Sequence, residues 1–128
     1  MPKKRVFIAD DEEEILSILK DFLSSREFEV LTSKEPAQLI KLVKNFKPHL
    51  ILLDLLMPGL DGFEICRILN NDPDLQSIPI IIMSGLSDLV DIKRAYALGV
   101  VGYLTKPFDL KTAAAEIEKA IANKENPQ

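Results

Sequence analysis

With a single cysteine, Cys66, the 128-residue chain can form no internal disulfide, and its expected setting is a reducing cytoplasm. Long apolar runs are missing too. None approaches the roughly 20 residues that a membrane-spanning helix needs. The opening MPKKRVFIAD has basic residues but only a short apolar run before acids appear, which does not make a signal peptide. Positive charge is in short supply, with 16 Lys and Arg against 20 Asp and Glu, a formal net charge of −4. Nonspecific nucleic-acid binding rests on many phosphate-neutralising cations, so no nucleic-acid partner is expected for this domain. Internal repeats and low-complexity tracts are absent. The remainder is 47% hydrophobic and 28% charged, the composition of one ordinary globular domain.

The stretch LILLDLLMPGLDGFEI, residues 50–65, organises the rest. Leu50–Leu53 is apolar without alternation, as in a parallel strand buried on both faces, and it delivers Asp54 to its carboxyl end. Four further strand segments are expected at Arg5–Ala9, Glu29–Ser33, Ile78–Met83 and Val101–Thr105. Helices are expected between and after them. The first covers Glu12–Ser25, with Ile15, Ile18, Leu19 and Phe22 as its apolar stripe, Asp11 with Glu14 at capping-box spacing, and the acids Glu12–Glu14 suited to the positive end of the helix dipole. Pro36 opens the second, which carries Leu39, Ile40, Val43 and Phe46. The third runs over Asp61–Asn71 and buries Phe63, Cys66 and Leu69. The fourth, Asp88–Leu98, is closed by Gly99, and Asp109 caps the fifth, Leu110–Asn123. Residues 1–123 therefore read as one domain, and 124–128 as a polar tail or the start of a linker.

Five alternating strand–helix units imply a doubly wound parallel sheet with helices on both faces, a flavodoxin-like α/β fold of strand order 2-1-3-4-5. In such sheets ligands sit beyond the carboxyl ends of the strands. The residues at those ends are Asp10 and Asp11, Asp54, Ser84 and Lys106. Packed carboxylates repel, by roughly 4 kcal/mol for two charges 4 Å apart at an effective dielectric of 20. A bound cation or a lysine can offset that repulsion. Mg²⁺ suits an all-oxygen site shared with phosphate, Lys106 adds a second positive charge, and Ser84 adds a hydroxyl donor. Together they make a pocket for one phosphoryl group, and an aspartate can be the nucleophile that accepts it.

Four motifs in order, Asp10-Asp11 after the first strand, Asp54 in LLDLLMPGLDG, Ser84 in IIIMSG and Lys106 in GYLTKPF, make the chain resemble the receiver domains of two-component response regulators. The resemblance implies that Asp54 is the phosphoacceptor. It implies that Asp10, Asp11, Asp54 and the backbone carbonyl of Leu56 hold Mg²⁺, and that Ser84 and Lys106 bond the phosphoryl oxygens. Tyr103 matches the aromatic switch residue that follows Ser84, and Lys106-Pro107 is expected to be cis. The implied partners are a histidine kinase or histidine phosphotransfer protein, docking near Ile15 and Ile18, and a downstream effector or fused output domain. That effector would read the fourth helix, fifth strand and fifth helix, with a phosphorylation-dependent dimer as one form of output. The positions two beyond the acceptor and two beyond the hydroxyl are Leu56 and Leu86. Neither can orient a hydrolytic water, so slow self-dephosphorylation is expected.

Two other functions compete. A haloacid-dehalogenase-like phosphatase also uses an aspartyl phosphate, Mg²⁺, a hydroxyl and a lysine, but needs a second acid where Leu56 stands. A receiver-like binding module that is never phosphorylated would lack an acid, the hydroxyl or the lysine, and none is missing. A non-enzymatic switch is therefore expected. Asp61 with Glu64 reads as a helix cap, His49 as a turn residue rather than a phosphodonor, and Cys66 as packing.

Overall fold

The apolar runs that end in an acid or a serine form the middle of a five-stranded parallel sheet. The computed structural model describes residues 2–126. Its strands are β1 (Lys4–Ala9), β2 (Phe28–Ser33), β3 (Leu50–Asp54), β4 (Ile80–Ser84) and β5 (Gly102–Thr105), in spatial order β2-β1-β3-β4-β5. The expected order 2-1-3-4-5 is the one observed, and all four pairings are parallel. Every residue of β3 and β4 is buried, as unbroken apolar sequence demands of strands covered on both faces.

Helices α1 (Glu13–Ser25) and α5 (Leu110–Glu125) cover one face, and α2 (Leu39–Phe46), α3 (Gly62–Asn71) and α4 (Leu89–Ala97) the other. The strands alternate between the two cores with a period of two. Phe7, Ile51, Leu53 and Ile82 point to the α2–α3–α4 side, whereas Val6, Ile8, Leu52 and Met83 point to the α1–α5 side. Each such fully buried large side chain contributes about 1.5–3 kcal/mol of transfer free energy. No helix among the described residues is long and apolar enough to cross a membrane.

Several local expectations are corrected. The buried stripe of α1 is Leu16, Leu19 and Leu23, while Ile18 is 44% exposed and Ile15 and Phe22 are only partly covered. Two overlapping apolar stripes run along this helix, and spacing alone does not choose between them. Glu12, not Asp11, occupies the N-cap position of α1, and no side chain caps this end. Pro36 opens a single 3₁₀ turn, Pro36–Gln38, with α2 beginning only at Leu39. Strand β4 starts at Ile80 because the Ile78 N–H closes a turn onto the Leu75 carbonyl and Pro79 has no N–H to give. Helix α5 runs on through Lys124 and Glu125, past the expected end at Asn123; residues 127–128 of the expected tail lie outside those described.

Other expectations hold. Asp109 caps α5 by accepting the Lys111 N–H. Gly99 follows α4 with φ of 97°, a left-handed conformation that costs glycine nothing. Asp61 accepts the Phe63 and Glu64 N–H groups at the start of α3, although the Glu64 carboxylate turns to Arg67 instead of completing a capping box.

Candidate functional site

The β1–β3 pairing brings two strand ends side by side, and each ends in a buried acid. Asp10 follows β1 and is fully buried; Asp54 is the last residue of β3 and only 3% exposed. Both are locally held. Asp10 Oδ1 accepts the Glu12 N–H at 2.8 Å, and Asp54 Oδ1 accepts the Leu56 N–H at 3.0 Å. Their other oxygens share one ammonium: Lys106 Nζ lies 2.8 Å from Asp10 Oδ2 and 3.3 Å from Asp54 Oδ2. The peptide bond joining Lys106 to Pro107 is cis, as expected, and the Lys106 N–H donates to the Ser84 carbonyl at 2.8 Å. That bond ties the lysine to the end of β4.

Burial pushes the Asp54 carboxyl up, to about 6, and the charge of Asp10 adds to the rise. The Leu56 N–H and Lys106 act in the opposite sense. For Lys106, burial alone would disfavour the charged form. The hydrogen bond to Asp10 and the charges of Asp54 and Asp10 outweigh it, and the ammonium is held more tightly than usual. The pocket is thus a desolvated pair of acids kept together by a single cation.

Ser84 closes β4, fully buried, and its Oγ accepts the Leu86 N–H at 3.1 Å. Tyr103 lies on neighbouring β5, half-buried, and donates its hydroxyl to the Leu86 carbonyl at 2.7 Å. Ser84, Leu86 and Tyr103 therefore form one hydrogen-bonded chain. Burial raises the Tyr103 phenol pKa; the nearby Ser84 hydroxyl opposes this, and the charges of Asp91 and Asp54 reinforce it.

Carboxylate oxygens of Asp10, Asp11 and Glu12 all lie within 4.8 Å of one another, with Asp11 and Glu12 exposed. This all-oxygen donor set has the chemistry that Mg²⁺ prefers. Asp54 is not part of that triplet and reaches it through Lys106. Sequence alone does not single out Glu12, because three successive acids at a helix start read as complements to the helix dipole. Its Oε1 lies 3.3 Å from Lys106 Nζ, so it completes a ring of three carboxylates around the lysine.

The loop after Asp54 is fixed from the far side. After Asp54, Leu56–Met57 pairs antiparallel with Leu60–Asp61, with Gly59 at φ of 76° in the turn. Gly62 then packs so tightly on Leu55 that a Cβ there would fall 2.5 Å from the Leu55 Cα. Leu56 itself is 54% exposed.

The remaining residues of interest fall outside this cluster. His49 sits at the opposite end of β3, its Nδ1 accepting the Arg5 N–H at 2.9 Å, and burial lowers its pKa. Cys66 is fully buried and its thiol is pushed up to about 12 by burial, which makes it unreactive.

Comparison with known proteins bears on this geometry. The family model for the response regulator receiver domain matches residues 6–118. The chain is 35% identical over 125 residues to the probable transcriptional regulator ycf27 of Cyanophora paradoxa, covering 98% of this chain and 51% of that protein. It is 32% identical to the heme response regulator HssR of Staphylococcus haemolyticus, covering 91% of this chain and 51% of that one. The chain thus spans about half the length of these curated relatives. Among solved structures, a two-component response regulator from Clostridium difficile superposes with a TM-score of 0.88 at 25% identity, over 97% of this chain and 99% of that one. The chemotaxis response regulator CheY4 of Vibrio cholerae, at 21% identity and a TM-score of 0.85 over 92% of this chain and 98% of that one, shares the fold. With the family model spanning most of its length, this chain belongs to the response regulator receiver domains, the phosphorylation-activated switches of two-component signalling.

Proposed function

We propose that Asp54 is the residue phosphorylated in this receiver, and that residues 1–123 are the working unit. The observation that carries this reading is the Lys106 ammonium bridging Asp10 and Asp54 at the ends of adjacent strands. Asp54 attacks the phosphorus of a phosphohistidine on a histidine kinase or phosphotransfer protein. A bond from an Asp54 oxygen to phosphorus forms as the phosphorus–nitrogen bond breaks, and the imidazole leaves with the electron pair. Asp10, Asp11, Asp54 and the Leu56 carbonyl would hold Mg²⁺, which when bound supplies charge neutralisation to the transferring phosphoryl group. Lys106 then turns from the former carboxylate to a phosphoryl oxygen, and Ser84 donates its hydroxyl to another.

Because Ser84 Oγ also holds the Leu86 N–H, any movement of Ser84 toward the phosphoryl group pulls on Leu86 and on the Tyr103 hydroxyl bonded to it. Phosphorylation in this way biases α4, β5 and α5 between two arrangements. Leu89, Val90 and Val101 are more than half exposed on and beside this face, which suits contact with an effector, a fused output domain or a second copy. The exposed Ile18 and partly exposed Ile15 on α1 suit docking of the phosphodonor near the site. The domain acts in the cytoplasm as a switch rather than an enzyme. A phosphatase would need an acid at Leu56, which here is apolar.

Incubation with Mg²⁺ and acetyl phosphate, followed by intact mass, tests this. One phosphoryl adduct is expected on the wild type, none on Asp54→Ala, and none when Mg²⁺ is chelated. With Leu56 and Leu86 unable to orient water, the adduct should outlast the measurement by minutes or more. An undiminished adduct on Asp54→Ala refutes the assignment.

A further inference from the structure

Lys106 has three anionic partners, and the phosphoryl chemistry accounts for only two of them. The third, Glu12, stands at the mouth of the pocket with its side chain 59% exposed, while Lys106 is 17% exposed. The backbone of Glu12 is anchored at both ends: its N–H donates to Asp10 Oδ1, and its carbonyl accepts the Leu16 N–H in the first turn of α1. The side chain therefore starts from a fixed point beside Asp10, and its Oε1 reaches the ammonium at 3.3 Å from the solvent side. An ammonium has three protons, and Asp10, Asp54 and Glu12 offer three acceptors.

We infer that Glu12 is a positioning residue that holds Lys106 in its resting place and competes with the phosphoryl group for it. The inference rests on the assignment of Asp54 and Lys106 made above. Once Asp54 becomes an acyl phosphate and Asp10 serves the cation, Glu12 is the one carboxylate of the three still free to hold the ammonium. Lys106 must then be drawn from Glu12 to the phosphoryl oxygen. The pair is half-solvated, so the opposing pull is modest, in the range measured for exposed ion pairs. Glu12 thus sets the balance between the resting and phosphorylated arrangements without touching the phosphoryl group.

Binding of beryllofluoride, a phosphoryl mimic, in saturating Mg²⁺ measures that balance by calorimetry. Glu12→Gln keeps the length and loses the charge, and should bind the mimic roughly threefold tighter than wild type. Glu12→Asp keeps the charge but shortens the reach, and should behave like Glu12→Gln. Simple repulsion between Glu12 and the anion would instead leave Glu12→Asp like wild type, which overturns the inference. A double-mutant cycle gives a second reading: in a Lys106→Met background, Glu12→Gln should change nothing, and an equal tightening there also overturns it. Failure of the wild type to bind beryllofluoride at all would instead refute the underlying assignment.

Discussion

The two halves of the pocket are built from different currencies of interaction. On the β1–β3 side, Asp10 and Asp54 are buried charges, and each depends on Lys106 for compensation. On the β4–β5 side, Ser84 and Tyr103 are joined by neutral hydrogen bonds through the backbone of Leu86. Stranding a buried charge costs several kcal/mol, whereas a neutral hydrogen bond contributes only about 1 kcal/mol net. The charged half is thus locked until another cation or a phosphoryl group enters, and the neutral half can exchange partners cheaply.

The contrast can be broken most severely at Lys106. Lys106→Met leaves two buried acids with no lysine between them and should destabilise the metal-free protein by about 3 kcal/mol at pH 7.5, read by denaturant unfolding in a chelator. A loss no larger than that of a surface lysine would mean that the charged half is not locked.

Asp54→Asn should move stability the other way. Asp54 titrates at about 6 in the fold, above its ordinary value of 3.8, so the folded protein holds that proton more tightly than the unfolded chain. The favourable contribution of the protonated acid is present below the unfolded value and is lost as pH rises through about 6. Above that pH the carboxylate opposes folding, and its replacement by the neutral amide should stabilise the metal-free protein by about 2–3 kcal/mol at pH 7.5. Near pH 4 the two proteins should unfold alike. An Asp54→Asn variant less stable than wild type at pH 7.5 would show that the pair with Lys106 outweighs desolvation.

Tyr103→Phe should have the smallest effect. It removes one hydrogen bond to the Leu86 carbonyl and should lower stability by about 1 kcal/mol or less, while acetyl phosphate still labels the variant at the wild-type rate. Slower labelling would place Tyr103 in the chemistry rather than beside it.

The strand ends were the legible part of this molecule. Unbroken runs such as Leu50–Leu53 and Ile80–Met83 have one physical solution, a strand buried on both sides, and the residues that close them fall at one edge of the sheet. Asp10, Asp54 and Lys106 converge for that reason, and Ser84 joins them through its carbonyl. What was not legible depended on side-chain reach or on small rotations. The stripe of α1 turned by one position, since Leu16 and Leu23 are as apolar as Ile15 and Ile18, and only tertiary packing separates them. In sequence Glu12 reads only as a helix-dipole complement, because its contact with Lys106 spans two distant segments of chain. Asp11 looked like a cap, but the chain enters α1 one residue later, with the Asp10 carboxylate bonded to the Glu12 N–H.

The contact between Gly62 and Leu55 has a consequence for how this sequence can drift. A single methyl at position 62 would collide with the backbone immediately after Asp54, whereas a Cβ at Gly85 meets nothing within 4 Å. Of these two glycines flanking the pocket, one is open to mutation and the other is closed even to alanine. Position 62 is therefore held to glycine by the backbone it packs on, not by any group that its side chain would offer.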